Sequence, residues 1–298
     1  MRITQKMMAN QVNINLSQNA QKVLNTQSHI SSGKRIMRAS DDPVGIAIAL
    51  NYHKSLDSMD QYLRNISNAR SGLEAGESVL ADINEQMNRS KEIAIAQATG
   101  TASPETRKAA AEEVRKIRDQ FIQLANTKQG DRYMFGGLKT DVSPYSDDPD
   151  NDPDGPYFRG NGGEFSVMMA DGLSMNVAVS GQNAFNGEVD PVDVLTKLIN
   201  GLEDNDQTAI SDQLDTLDQA QNQITNERAS VGARLNRLDS SQSHWETFKV
   251  SFSLMLSDTE DMDLTQAVTD LTSQQSAYQA SLLSASKIIQ PSLLDYMR

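Results

Sequence analysis

The sequence lacks cysteine altogether and is poor in aromatic side chains. Its 298 residues include no Cys and one Trp, and Phe, Trp and Tyr together make up 5%. Without cysteine the chain forms no disulfides and has no thiol nucleophile. So few aromatic residues are lean for a single large core and typical of long helices packed in narrow bundles.

Acidic residues are missing from the first 40 positions, although the whole chain has a net charge of −13. This basic arm could be a polyanion-binding tail, but its evenly spaced apolar residues favour a helix that packs. An acidic chain without a broad basic surface is a poor nucleic-acid binder, so we expect no nucleic-acid partner.

Long apolar runs are also missing. None approaches the roughly 18–20 residues of a membrane span, so we expect no membrane partner. The N-terminus has neither the apolar core nor the small-residue cleavage site of a secretory signal. This predicts a cytoplasmic protein, or one exported by a route that reads no cleavable signal.

Catalytic motifs are not recognisable either. The three histidines, His29, His53 and His244, are far apart in sequence, and no third ligand or oriented nucleophile accompanies them. The chain has no Gly-x-Ser-x-Gly, no His-Glu-x-x-His and no phosphate-binding glycine loop. We therefore predict that the protein is not an enzyme and has no cofactor.

One acidic segment resembles half of a calcium loop. Asp150, Asp152 and Asp154 give the spacing Asp-x-Asp-x-Asp-Gly. However, Asn161 stands where a bidentate acid is needed, prolines interrupt the loop, and flanking EF-hand helices are missing. These three residues are a weak calcium candidate, and the sequence favours a solvated acidic loop without metal.

The strongest pattern is a heptad repeat of apolar residues in both halves of the chain. It predicts helices at 43–99, 104–127 and 207–256, with Asp42 and Ser103 as N-caps for the first two. A helix over 207–256 is roughly 70 Å long and needs other long helices beside it. Its apolar positions are Ile210, Leu214, Leu217, Ile224, Val231, Leu235, Leu238, Trp245, Phe252 and Leu256.

The two ends of the chain carry further apolar stripes, and we expect the C-terminal helix to stop at Pro291. Each end needs a partner for its stripe, so we expect both ends to be mobile in a free subunit and helical in an assembly. The predicted assembly interface consists of Ile3, Met7, Ile14 and Leu24 at the N-terminus and Leu264, Val268, Leu271, Tyr278, Leu282, Ile289, Leu293 and Leu294 at the C-terminus. A second N-terminal track contains Val12, Leu16, Val23 and Ile30.

The middle of the chain is rich in glycine and proline, and its alternating stretches at 164–169 and 173–180 predict short strands. We therefore predict three domains. Residues 1–42 and 257–298 form a terminal coiled-coil domain, residues 43–137 and 190–256 a helical shaft, and residues 138–189 an inserted β-rich outer domain. The fold class is mainly α, an elongated helical bundle built from both halves of the chain.

Several motifs resemble those of bacterial flagellins and their relatives. ISSGKRIMRASDD at 30–42 is similar to the signature turn of that family, and the segments 70–87 and 228–237 are similar to its helical shaft. The insert opens with YMFGGLKTDVSPY at 133–145, and the chain closes on SLLDY at 292–296. These features resemble the hook-associated protein 3 family, which forms the hook–filament junction, more than flagellin itself.

The resemblance implies a structural subunit in the extracellular flagellum, exported unfolded through the flagellar type III channel. It implies four partners, namely hook-associated protein 1, flagellin, identical subunits in a ring and an export chaperone. A minor flagellin that forms filament is the alternative within the same class. A cytoplasmic helical signalling coiled coil is a more distant alternative.

Overall fold

The computed structural model describes the backbone of residues 5–146 and 158–294 and the side chains of residues 7–146 and 158–286. The calcium candidates Asp150, Asp152 and Asp154 lie outside the described residues. Within the described part, the chain forms seven helices and four short strands. These are α1 Gln5–Ser32, α2 Pro43–Gln97, α3 Pro104–Ala125, β1 Lys128–Gln129, β2 Arg132–Tyr133, β3 Ser166–Ala170, β4 Leu173–Asn176, α4 Gly181–Phe185, α5 Pro191–Glu203, α6 Gln207–Glu260 and α7 Leu264–Leu294.

The starts of the helices follow from capping residues. The Asp42 carboxylate accepts hydrogen bonds from the backbone N–H groups of Val44 and Gly45, which confirms it as the N-cap of α2. Ser103 caps α3 and Asp190 caps α5 in the same way. A proline follows each of these three caps at the first helical position, where its missing N–H costs nothing.

The long helices pack through the predicted heptad seams. In α6, Ile210, Leu217, Ile224, Val231 and Leu238 are buried, at the seven-residue spacing of the sequence pattern. In α2, the matching buried set is Ile66, Leu73, Leu80, Met87 and Ala94. Helix α3 contributes Val114, Ile117 and Phe121 to the same core.

Two small hairpins lie between the helical halves. Strands β1 and β2 pair antiparallel, as do β3 and β4. The tight turn of the second hairpin requires Gly172, whose φ of +72° lies in the left-handed region. The Trp245 indole N–H of α6 donates to the Met169 carbonyl at 2.9 Å, so the longer hairpin is bonded to this helix. The strands predicted at 164–169 and 173–180 are confirmed as a pair, with shorter bounds.

An aromatic cluster fixes the base of the inserted segment. Its five rings lie in a chain of edge and tilted contacts, with centroid distances from 5.1 to 6.2 Å. Such contacts stabilise beyond the burial of apolar area alone. Phe121 comes from α3 and Phe185 from α4, and the other three members, Phe135, Tyr145 and Phe158, come from the segment between β2 and β3.

Asp190 joins this aromatic cluster to α5. Its carboxylate accepts hydrogen bonds from the Tyr145 hydroxyl at 2.9 Å, the Phe158 N–H at 3.0 Å and the Val192 N–H at 2.8 Å. Burial raises the pKa of Asp190 to about 6, because these hydrogen bonds offset only part of the lost hydration. Burial also raises the pKa of Tyr145, and the neighbouring Asp190 carboxylate adds to that effect.

One sequence prediction about helix ends is wrong. Helix α7 continues through Pro291 to Leu294 instead of stopping at the proline. Proline removes one backbone hydrogen bond, and here that loss falls in the last turn.

The described structure divides into two compact units. The first contains residues 1–58 and 248–298, and the second contains residues 59–247. The first unit holds α1, α7, the start of α2 and the end of α6. The second holds the rest, including both hairpins. The predicted division into a terminal domain, a shaft and an outer domain has different boundaries and stays a prediction.

Candidate assembly surfaces

The terminal helices α1 and α7 pack against each other as an antiparallel pair. The Asn19 side-chain amide donates to Ser281 Oγ at 2.9 Å, and Thr26 Oγ1 donates to the Gln274 side-chain carbonyl at 2.8 Å. The two bonds progress in opposite directions along the two helices, which fixes the antiparallel register. Polar contacts at seam positions specify register at some cost in stability.

The α1–α7 pair uses the second N-terminal track for its seam. The side chains of this track, Val12, Leu16, Val23 and Ile30, are half-buried. Steps of three and four residues place them on the same face of α1 as Asn19 and Thr26. On α7 the residues that share a helix face with Gln274 and Ser281 are half-buried or buried, and Ala267 and Ala285 are the buried ones. The seam therefore combines apolar side chains of α1 with several small and polar side chains of α7, and it covers only one side of each helix.

The predicted interface residues lie mainly outside this seam. Met7, Ile14 and Leu24 are exposed on α1, at 62%, 50% and 59% of their surface. On α7, Leu264, Val268 and Leu282 are exposed as well. We call these six residues the outer apolar faces.

Two further predicted interface residues, Leu271 and Tyr278, are half-buried on the side of α7 that carries Gln274. They therefore belong to the contact within the α1–α7 pair. Ile3 lies outside the described residues. Ile289, Leu293 and Leu294 are on α7, but their side chains are outside the described part.

The chain crosses itself between α1 and the end of α6. The backbone N–H groups of Arg35 and Ile36 donate to the Glu260 carbonyl at 2.7 and 3.4 Å, and Met262 N–H donates to the Gly33 carbonyl at 3.0 Å. Gly33 has a φ of +71°, a conformation that ends α1 and that glycine adopts without strain. The signature turn found in the sequence is thus bonded to the C-terminal half of the chain.

The Glu260 side chain is the electrostatic centre of this crossing. Its carboxylate accepts from Lys34 Nζ at 2.6 Å and from His53 Nε2 at 2.9 Å. Burial raises the pKa of Glu260, but the hydrogen bonds from Lys34 and His53 outweigh burial, so the net effect lowers it. One carboxylate therefore connects the turn after α1, the start of α2 and the end of α6.

A further set of exposed apolar residues was not found by sequence reasoning. Val44, Ile48 and Leu50 at the start of α2 are exposed, and so are Val250 and Leu254 near the end of α6. These side chains fall off the heptad that defined the helical seams. The signal present in the sequence was the spacing of four between Val44 and Ile48 and between Val250 and Leu254.

Each of the three histidines contacts a neighbouring group within the fold. His29 contacts the Lys34 carbonyl at 2.9 Å, His53 binds Glu260, and His244 contacts the Trp245 ring. Within residues 7–146 and 158–286, no group of three or more His, Asp or Glu side chains is placed to hold a metal ion. Among the described helices, none has a stretch long and apolar enough to cross a membrane.

This geometry defines a class of protein, namely a helical structural subunit that leaves apolar helix faces exposed at its paired chain ends. Residues 3–140 match the model of the bacterial flagellin N-terminal helical region, and residues 214–297 match that of the C-terminal helical region. The chain belongs to the bacterial flagellin family. It is a structural component of the flagellum, in the part outside the cell.

The full-length relatives include proteins called flagellar hook-associated protein 3. The protein of that name from Escherichia coli K12 is 26% identical, with 89% of this chain and 92% of the relative covered. The one from Salmonella typhimurium LT2 is also 26% identical, covering 94% and 95%. A flagellin from Bacillus subtilis is 27% identical and covers 89% of each chain.

Solved structures share the fold. A protein of Vibrio parahaemolyticus assigned as a flagellar hook-associated protein superimposes with a TM-score of 0.68 and 22% identity, covering 74% of this chain and all of that one. FlgL of Bacillus cereus gives a TM-score of 0.60 and 20% identity, covering 70% and 99%. The mainly helical fold with a small β-rich insert is therefore confirmed.

Proposed function

We propose that this chain is the structural subunit that joins the hook of the flagellum to its filament. In this role it binds hook-associated protein 1 on the hook side and flagellin on the filament side, and identical subunits beside it complete a ring. The near full-length likeness to proteins called hook-associated protein 3 supports this assignment.

The mechanism is the burial of apolar helix faces between neighbouring subunits. The single observation that carries it is the exposure of Met7, Ile14 and Leu24 although α1 is already paired with α7. Soluble monomers rarely leave such stripes uncovered, and a stripe along a helix is the usual partner-binding face. The outer apolar faces of α1 and α7 are therefore the surfaces that neighbouring subunits cover.

The same faces account for an export chaperone. Before assembly, exposed apolar stripes on the chain ends would associate without specificity, and a dedicated partner prevents this by covering them. We also retain the three-part division, in which residues 1–42 and 257–298 form the axial core, 43–137 and 190–256 the shaft, and 138–189 the outer domain.

The experiment that tests the junction role compares two ways of assembly. The purified chain is added to isolated hooks that end in hook-associated protein 1, and separately it is concentrated alone. We expect a short terminal structure on the hook ends, located by immunogold, and no long filament from the chain alone. A flagellin purified in the same way is the control for self-assembly.

A minor flagellin remains the second candidate, supported by the 27% identity to the Bacillus subtilis protein. It predicts that the purified chain grows long filaments by itself and needs no hook end. That result would overturn the junction role and leave membership of the flagellin family intact.

A further inference from the structure

The sequence contains three Asn-Gly pairs, at 161–162, 186–187 and 200–201. In such a pair the backbone nitrogen of the glycine can attack the side-chain amide carbon of the asparagine, because the glycine has no Cβ to obstruct the approach. The three pairs lie in different local structures. Among the described residues, only the first pair has backbone N–H groups that donate to the side-chain carbonyl of its asparagine.

The side-chain carbonyl of Asn161 accepts two backbone hydrogen bonds. The Leu138 N–H donates to its Oδ1 at 2.7 Å, and the Gly163 N–H donates to the same atom at 3.3 Å. The bond to Gly163 forms an Asx turn, which folds the side chain back over its own backbone towards the nitrogen of Gly162. The turn therefore holds the amide carbon beside the nitrogen that would attack it.

The surrounding backbone fixes this side chain and leaves it open to water. The Asn161 N–H donates to the Gly136 carbonyl at 3.3 Å. Gly137 has a φ of +66°, and a Cβ at this position would collide with Asn161. Asn161 is half-buried and Gly162 is exposed, so water and hydroxide reach the pair.

We propose that Asn161 is a self-modification site, at which the folded chain converts its own side-chain amide into a carboxylate. The Gly162 nitrogen loses its proton to hydroxide and attacks Asn161 Cγ, so that a C–N bond forms and the carbonyl electron pair moves onto Oδ1. The Leu138 and Gly163 N–H groups stabilise this oxyanion, as backbone donors do in acyl-transfer enzymes. The bond from Cγ to Nδ2 then breaks, and the amide nitrogen takes a proton from water and leaves as ammonia.

Water completes the change. It opens the resulting cyclic imide at one of its two carbonyls and leaves aspartate or isoaspartate at position 161, and no oxidant or reductant takes part. The net reaction consumes one water and releases one ammonia. In the aspartate form the same two N–H groups bond a charged acceptor, and charge-assisted hydrogen bonds are stronger than neutral ones. The reaction needs no other subunit, so its outcome does not bear on the junction role.

The other two pairs lack this arrangement. Asn186, at the end of α4, is exposed, and within the described part of the chain no N–H donates to its side chain. Gly201 is a buried residue of α5, and at its position in the helix the backbone N–H is bonded within the helix. Asn186 therefore reports the rate of an exposed pair without donors, and Asn200 reports the rate of a pair held in a helix.

Water labelled with heavy oxygen tests the assignment, because each conversion places one labelled oxygen in the new carboxylate. The purified full-length chain is incubated in this water at mildly alkaline pH, digested, and its peptides are quantified by mass spectrometry. In enzymes one oxyanion donor contributes roughly 100-fold or more to the rate, and at this half-exposed turn we expect Asn161 to be labelled at least about fivefold faster than Asn186. Asn200 should be the slowest of the three. Labelling of Asn161 no faster than that of Asn186 would overturn the proposal.

Incubation in urea shows whether the fold causes the difference. The unfolded chain has lost both donors, so Asn161 and Asn186 should be labelled there at similar rates. A difference that persisted in urea would come from the neighbours in sequence and would overturn the role of the two N–H groups.

A glycine variant tests the attacking nitrogen. Gly162→Ala should slow the labelling of Asn161 about tenfold, because a Cβ beside the nitrogen obstructs its approach. The added Cβ would lie 3.6 Å from the Gln182 side chain, an ordinary contact, so the variant should fold. The matched control is Gly232→Ala, at a position of α6 with open space around it, and it should leave the labelling unchanged. Undiminished labelling of Asn161 in Gly162→Ala would refute the step.

Discussion

Replacing the outer apolar residues of α1 should weaken assembly strongly without unfolding the free chain. The variant carries Met7→Gln, Ile14→Gln and Leu24→Gln. All three positions are exposed and outside the α1–α7 seam, so polar side chains there disturb no contact described within the molecule. Glutamine also has a helix propensity close to those of methionine and leucine.

The magnitude follows from the area that assembly would cover. Full burial of a Leu, Ile or Met side chain contributes about 1.5–3 kcal/mol. Because half or more of each residue is still exposed, each loses about 1 kcal/mol of binding free energy on substitution. The positions are seven and ten residues apart, so the losses add to about 3 kcal/mol, or roughly a 150-fold weaker binding.

The assay has two parts. Labelled chain is titrated onto isolated hook ends, and circular dichroism of the free chain records its helix content. We expect weaker binding with an unchanged helical signal. The control variant, Val12→Gln with Val23→Gln, changes two residues of the α1–α7 seam and should lower both the helical signal and the binding.

Two results would refute this reasoning. If the outer variant binds hook ends as tightly as the natural chain, neighbours do not cover these faces. If it loses as much helix as the seam variant, then the outer residues stabilise the free helix pair and the division into two faces is wrong.

Three other predictions concern single residues. Because burial raises the pKa of Asp190 to about 6, from 3.8 for the ordinary group, the folded chain binds a proton that the unfolded chain does not. Urea unfolding should show the natural chain gaining about 2 kcal/mol relative to Asp190→Asn between pH 7.5 and about pH 4.5, and a pH-independent difference would contradict this. The pKa of Glu260 is lowered, so its carboxylate stabilises the fold near neutral pH, and this stabilisation is lost as acid protonates it. Thermal unfolding at pH 7 should show that Glu260→Gln lowers the free energy of unfolding by up to about 1 kcal/mol. No change in that free energy would argue against the ion pairs. Phe121→Ala leaves a cavity in the aromatic cluster and should cost about 3–5 kcal/mol in the same urea assay, and a loss below about 1 kcal/mol would mean that the ring is not packed.

The long helices were predictable because their determinants are local. A heptad stripe, an Asp or Ser cap and a following proline are all read within a few residues, and the structure confirms the starts of α2 and α3 at Pro43 and Pro104. The C-terminal ends of the helices were less predictable. Pro291 is a strong local stop signal, yet α7 passes through it.

The pairing of the terminal helices was not predictable from sequence in full. Helix α1 has two apolar tracks, one with Ile14 and Leu24 and one with Leu16 and Val23, and either could face α7. The choice depends on side chains of α7 that are more than 240 positions away, such as Gln274 and Ser281, which bond to Thr26 and Asn19. Local periodicity carries no information about such distant partners.

The aromatic cluster and the crossing at Glu260 were missed for the same reason. Tyr145 and Phe158 are 45 and 32 positions from Asp190, and nothing in their local sequence marks them as its neighbours. Lys34 and Glu260 are 226 positions apart. A sequence pattern identifies which residues need burial, whereas the folded chain decides what buries them.

The most direct test of the account is the reactivity of Met7 before and after assembly. Met7 is 62% exposed in the described chain, so peroxide should oxidise it readily in the free subunit. On isolated flagella, mass spectrometry should find its oxidation at least about tenfold slower, because neighbouring subunits cover the outer face of α1. Equal rates in the free and assembled chain would contradict the claim that assembly buries this face.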